Sequence, residues 1–370
     1  MDLDHESLYL TELIYLGNGC PVWEPNPDTL YDCVRIGDVG YFQNGTFVPL
    51  FNILLPPNSN QDRGLPFPPP NFPPLRLPSN STYRRNPLRA GVHALETSLT
   101  FSISGGVDSP GSVLHGETSL TFTNEKGAAL ILPYQAQRED AINNWPFKRH
   151  MLSNYRHWSN FAETTCELER GTRLILVTGC DLTLQWATAT YCRNNREIAL
   201  AGGGGVASVA DAHFSLSAGW RVNQPMNTRQ GPPQVQEESG PLMNNQCVFL
   251  RGFYIKDRFL FGPKVLKAGA GYHDPGKHGP EEEGVEGLLT DEDITVESLS
   301  PLTQHESLIM VLLDYMLEES DADIVIAHDS DLLPYLQGKA SRENLREILR
   351  KMSPHIKVED GGRCQYLNPT

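Results

Sequence analysis

The sequence predicts an α+β protein: a β-rich, mainly antiparallel sheet domain followed by a small C-terminal α/β subdomain. Three observations carry this prediction. Short runs with two-residue alternation recur through the first 265 residues, separated by turn residues. A Gly/Pro/His/Glu-rich stretch at 266–294, too polar to fold alone, marks the best boundary. From 295 to 370 the rhythm changes to helix, strand, helix, strand.

The elements follow in order. An apolar stretch, LYLTELIYLG, opens the chain, and a Pro-rich surface segment follows it. Residues 34–42 read as a strand and 46–55 as its return, because Gln43-Asn44-Gly45 between apolar runs is a hairpin signal. Residues 56–90 form a Pro/Asn/Arg-rich loop. Prolines at 56, 57, 66, 68, 69, 70, 73, 74 and 78 bar a central strand and predict an extended, mobile segment. That loop is either an insertion or a polyproline ligand for a protein partner.

Residues 92–104, 117–123 and 128–132 read as successive antiparallel strands with one wet face. Part of 137–160, with Trp145, Phe147, Tyr155 and Trp158, reads as a helix covering that sheet. Residues 174–178 and 184–192 read as strands on either side of a Gly179-Cys180-Asp181 corner. The Gly run at 202–205 breaks the chain, and 206–220 reads as a further strand. No Lys or Ser/Thr follows on a helix, so the glycines make a connection rather than a phosphate cradle. Residues 246–261 are strand-rich. In the last part, 305–319 and 341–352 show helical periodicity, 323–327 is a short apolar strand and 356–358 another.

Composition narrows the function classes. The chain has 370 residues, 39% hydrophobic, with a formal net charge of -15. An acidic chain without a Lys/Arg stripe is a poor nucleic-acid binder; Arg84, Arg85 and Arg89 read as solvated loop charges. No apolar run reaches the length of a membrane span. The acidic start lacks the basic and apolar regions of a secretory signal, and the Asn44 and Asn80 sequons are read as chance. Seven scattered cysteines without a CxxC pair suit a reduced, cytoplasmic setting.

The chemistry-bearing candidates are polar groups attached to apolar runs. In DADIVIAHDSD (321–331), His328, Asp329 and Asp331 follow a strand, at the carboxyl edge where open α/β sheets place ligands. Two carboxylates and an imidazole are candidate ligands for a divalent cation such as magnesium or manganese. Asp321 and Asp323 lie at the far end of that strand and cannot join. The alternative reading makes Ser330 a helix N-cap with Asp331 complementing the dipole. Asp38 in IGDVGYF (36–42) and Asp181 in LILVTGCDLTLQW (174–186) are candidate ligand-binding groups or turn aspartates bonded to nearby amides. Cys180 would need a nearby His to act as a nucleophile. Spacing does not place His150, His157 or His213 there, so a buried thiol is the default. No GxSxG, HExxH or spaced carboxylate pair occurs, and no cofactor is indicated.

RIGDVGYF (35–42), FNILLP (51–56), GAALILP (127–133), LILVTGCDLTLQW, NQCVFLRGFYI (245–255) and DIVIAHDSD (323–331) together resemble an uncharacterised protein family of mushroom-forming (basidiomycete) fungi with GDVG, VTGCD and HD-x-D motifs. The resemblance spans most of the chain. It implies a fungal origin and an intracellular setting, and it assigns no activity. Two departures stand out. Leu182 occupies the place of the family's Lys after Cys-Asp, and Ser330 and Leu332 replace an Asp and a Trp of its His-Asp-Asp-Asp-Trp pattern. The resemblance implies that a charged site at either place would be weakened here.

The reading is a non-enzymatic intracellular binding or scaffold protein. The first alternative is a metal-dependent hydrolase at His328, Asp329 and Asp331. The second is a membrane-active β protein, which requires a long sheet with a broad apolar face that a helix could uncover.

Overall fold

The computed structural model describes residues 5–27, 33–65, 68–70, 72–77, 82–84, 87–95, 99–104, 116–122, 126–192, 198–204, 226–232, 243–258, 304–336, 342–359 and 363–366. The acidic stretch at 266–294 and the 206–220 strand lie outside them, as do 66–67, 71, 78–81 and 85–86 of the Pro-rich loop.

Helix α1 (His5–Leu13) opens the chain. The N-terminal strands are β1 (Cys20–Pro21), β2 (Asp38–Gln43) and β3 (Thr46–Asn52), the last two joined by the expected Asn44-Gly45 turn with positive φ at both residues. The strand begins later than the sequence suggests. Gly37 at φ 90° and the Asp38 N–H bond to Arg35 O make a tight turn before it. Within 56–90 the chain is not uniformly extended. It holds α2 (Pro57–Asp62), where proline is tolerated in the first turn, and β4 (Thr82–Arg84).

Next come β5 (Gly91–His93), β6 (Leu99–Ser104), β7 (Gly116–Phe122), β8 (Lys126–Leu132) and β9 (Gln137–Ala141). Helix α3 (Trp145–Thr164) starts with Pro146 in its first turn and buries Phe147, Met151, Tyr155, Trp158 and Ala162, a 3.6-residue stripe. Then follow β10 (Ile175–Thr183), β11 (Trp186–Cys192), β12 (Ile198–Gly204), β13 (Met226–Gly231) and β14 (Gln246–Asp257). The C-terminal part is α4 (Gln304–Glu318), β15 (Ile324–His328), a 3-10 helix (Asp329–Tyr335), α5 (Arg342–Met352), β16 (Ile356–Glu359) and β17 (Arg363–Tyr366). The class is α+β, with mainly antiparallel sheets and a small C-terminal α/β part.

The main sheet runs β16-β17-β15-β14-β10-β2-β3, with β1, β9 and β4 branching from it. The C-terminal strands enter it directly, because β15 pairs antiparallel with β14. The pair β15–β17 is parallel. Alternation splits the core. Leu174, Leu176, Phe253, Ile255 and Ile326 pack with α3 residues on one face. Ile175, Val177, Tyr254, Val325 and Ala327 pack with α4 and α5 on the other. Each fully buried side chain of this size contributes about 1.5–3 kcal/mol. Helix α4 buries every residue from Leu308 to Leu313, not one face as its periodicity suggests, because the sheet, α1 and α5 surround it.

Two smaller sheets complete the fold. One runs β13-β11-β8-β5 and the other β12-β7-β6. Leu10, Leu13 and Tyr9 of α1 pack on Leu130, Leu132 and Trp186 of the four-stranded sheet.

Candidate functional site

The corner expected at Gly179-Cys180-Asp181 is the middle of a strand. β10 passes straight through it with two local irregularities, between Val177 and Gly179 and between Asp181 and Leu182. Glycine is required here: a Cβ on residue 179 would collide with the Asp140 carboxylate and lie 2.8 Å from Arg251 Nε. Asp181 is therefore placed with a strand on each side. Its β9 register partner is Arg138, and Arg251 of β14 stands opposite Gly179.

Asp181 is fully buried. Its oxygens accept from Arg138 Nε and an Arg138 terminal nitrogen, both at 2.7 Å. Arg251 donates to it at 3.0 Å and to Asp140 at 2.5 Å. The side chain of Asn18 accepts from Arg138, and its carbonyl accepts from Arg251. Two guanidiniums and two carboxylates thus alternate across three strands. Burial pushes the Arg251 pKa down, but the carboxylates of Asp181 and Asp140 reverse this and hold it above its ordinary value.

The third motif meets the same strand. His328 pairs with Phe253 across β15–β14, and its ring packs edge-on against that phenyl. Ser330 was the expected N-cap; the structure gives that role to His328. Its Nδ1 accepts from the Ser330 N–H at 3.1 Å, and Asp331 Oδ2 accepts from the His328 N–H at 2.8 Å. A cap that accepts at Nδ1 leaves the proton on Nε2, which donates to Thr178 Oγ1 at 2.8 Å. Asp329 Oδ2 accepts from the Gly252 N–H at 2.7 Å. Burial lowers the His328 pKa, against the pull of Asp329 and Asp331. Burial raises that of Asp331.

Asp38 forms a separate lock. It is fully buried and accepts from Arg63 at 2.7 and 3.3 Å, from Asn52 Nδ2 at 2.7 Å and from the Arg35 N–H at 2.8 Å. Asn60 in turn bonds the Asn52 backbone. The aspartates are thus not bonded chiefly to local turn amides, as a turn role would have it; distant arginines hold them.

The structure brings Asp181 and the His328–Asp331 cap onto the two strands that flank β14, joined through Thr178 and Arg251-Gly252, while Asp38 keeps its own partners. Sequence reasoning missed Arg63, Arg138, Arg251 and Thr178. A signal existed: Arg251 is the one charged residue in CVFLRGFYI, and Asp181 the one in LILVTGCDLTL. Each needs an opposite charge from another strand.

Chemically the cluster is closed. Thr178 beside His328 has the parts of a hydroxyl–imidazole pair, yet Thr178 is 2% exposed and leans on the Arg251 carbonyl. Cys180 is buried, its thiol pKa raised by burial, and its Sγ lies 3.8 Å from the Val34 carbonyl. His150 packs beside Trp158 and Phe72 on α3, and His157 bonds Pro70 O. Among the described residues, no three His, Cys, Asp or Glu side chains gather to hold a metal ion. No described helix is long and apolar enough to cross a membrane. No family model matches the chain, and comparison with curated proteins and with solved structures found no match.

Proposed function

We propose that this chain is a non-enzymatic binding protein whose polar motifs hold its sheet together. The observation that carries the reading is Asp181. It is fully buried and pinned between Arg138 and Arg251, so a ligand would have to displace two charge-assisted hydrogen-bonding partners to reach it. Asp38 is engaged in the same way by Arg63 and Asn52. His328 and Asp331 cap the 3-10 helix, and the Asp329 carboxylate ties that corner to β14. The metal-dependent hydrolase reading needs His328, Asp329 and Asp331 turned towards one ion, and their bonds draw them to the Ser330, His328 and Gly252 amides instead.

Thermal unfolding tests the reading, with EDTA and with magnesium, manganese, calcium or zinc, because an ion bound to the native state raises Tm by mass action. No shift is expected with any of them. A rise with one ion that disappears in Asp329→Ala/Asp331→Ala would establish a metal centre and overturn the proposal.

A further inference from the structure

Residues 68–70 and 72–77 of the Pro-rich loop form neither helix nor strand and lie against α3. Phe72 is their anchor. It is 7% exposed, and its ring meets those of Phe51 at 5.6 Å, His150 at 5.8 Å and Trp158 at 6.5 Å. Phe51 in turn packs edge-on against Trp158 and Phe161. Pro68 and Pro69 are buried as well, and Leu75 and Leu77 pack half-buried on the same core. His150, His157, Trp158 and Phe161 fall on one side of α3, because their spacings repeat the helical turn.

The segment fits this face by shape more than by polar bonds. Proline has no N–H, so residues 68–70, 73 and 74 cannot donate to a neighbouring chain. The segment is tied by the Leu75 N–H, which donates to the Ile53 carbonyl at 2.7 Å, and by His157 Nε2, which donates to the Pro70 carbonyl at 2.9 Å. His157 is itself exposed. The two α3 rings that Phe72 touches keep unmet polar atoms. Trp158 Nε1 and His150 Nε2 are buried without a hydrogen-bond partner, and Trp158 is 0% exposed. A buried indole N–H calls for an acceptor, and a peptide carbonyl is one.

We propose that this face of α3 is a docking groove for proline-rich peptides, filled in cis by the chain's own segment. The inference rests on the binding reading above and names its partner. The partner carries a run of prolines with an aromatic residue two positions later, the pattern of Pro68-Pro69-Pro70 and Phe72. Aromatic-lined grooves take such chains because proline rings hold φ near about -65°, so little freedom is lost on binding. The cis segment competes from a short tether, at high effective concentration. A partner displaces it by bringing the same aromatic anchor and a carbonyl for Trp158 Nε1, which the cis segment leaves unmet.

Fluorescence anisotropy of a labelled peptide, LPFPPPNFPPLRL, identical to residues 65–77, tests this with the full chain in EDTA. The Phe72→Ala chain, whose own anchor is gone, is expected to bind the peptide about tenfold or more tighter than the wild-type chain does. The same peptide carrying Phe72→Ala is expected to bind that chain about tenfold or more weaker. Absence of binding to the Phe72→Ala chain, equal affinity for both chains, or equal affinity of both peptides overturns the groove. Should the Phe72→Ala chain not fold, hydrogen exchange of the wild type in excess peptide replaces it. The Leu75 amide is then expected to lose protection as the cis segment is displaced, and unchanged protection of that amide overturns the proposal. Because EDTA is present throughout, such a failure is separate from a cation-driven rise in Tm, which would overturn the binding reading itself.

Discussion

The main sheet and the four-stranded sheet are held together in different ways. Around β10 the main sheet is covered on both faces and carries charge in its middle: Asp181, Arg251 and Arg138 are locked strand to strand. The four-stranded sheet is held from one side by apolar packing: Leu130, Leu132 and Trp186 lie under Tyr9, Leu10 and Leu13 of α1. Buried ion pairs add little net stability but are costly to break, so they fix which strands pair and in what register. A sheet held by apolar packing is specified by its alternation, because a one-residue slip would turn every buried side chain outward. The contrast teaches that the conspicuous polar motifs of the main sheet bond to one another across strands, where the four-stranded sheet uses apolar side chains.

The largest effect should come from Asp181→Asn, which leaves two buried guanidiniums short of a counter-charge. A loss of about 3–5 kcal/mol in urea unfolding is expected; a loss below about 1 kcal/mol would mean the cluster is not a lock. Asp38→Asn takes the counter-charge from Arg63, which keeps its bond to the Cys33 carbonyl, and should cost somewhat less, about 3 kcal/mol. Gly179→Ala forces a Cβ against Asp140 and Arg251 and should cost about 1–3 kcal/mol. Equal stability of that variant would show that the strand accommodates a side chain there.

A pH effect comes next. His328 has its folded pKa lowered below 6.5 by burial, so the unfolded state binds more protons as pH falls through 6.5. Its contribution is full above 6.5 and is lost as pH falls towards the folded value. His93 and His150 are lowered by the same cause and add to the slope. Asp331, raised by burial, acts oppositely: its contribution is lost as pH rises through its folded value. Tm should therefore drop between pH 7 and 5, and His328→Gln should flatten part of that drop. An unchanged slope in the variant would mean that His328 is not held neutral. The smallest effect is expected at Met352→Leu, an exposed position at the end of α5, within about 0.5 kcal/mol of wild type.

Much of the fold was legible in the sequence because its signals are local. The Asn44-Gly45 turn, the α3 stripe of Phe147, Met151 and Trp158, and the helix–strand–helix order after residue 304 all rest on near neighbours in the chain. Long-range pairing was not legible. Nothing near Asp181 announces Arg138 or Arg251, 43 and 70 residues away. The Gly179-Cys180-Asp181 corner was misread for a related reason: glycine there answers a neighbouring strand's side chains, not a turn. His328 became the cap in place of Ser330 because its ring reaches both the Ser330 amide and the Thr178 hydroxyl of another strand.

Hydrogen exchange of the full chain, in wild type and in Asp181→Asn, tests the division of labour most directly. The amides of β10 and β14 should lose protection in the variant, while those of β8 and β11 keep theirs. Unchanged protection of β10 and β14 in the variant, or a loss confined to β8 and β11, would contradict it.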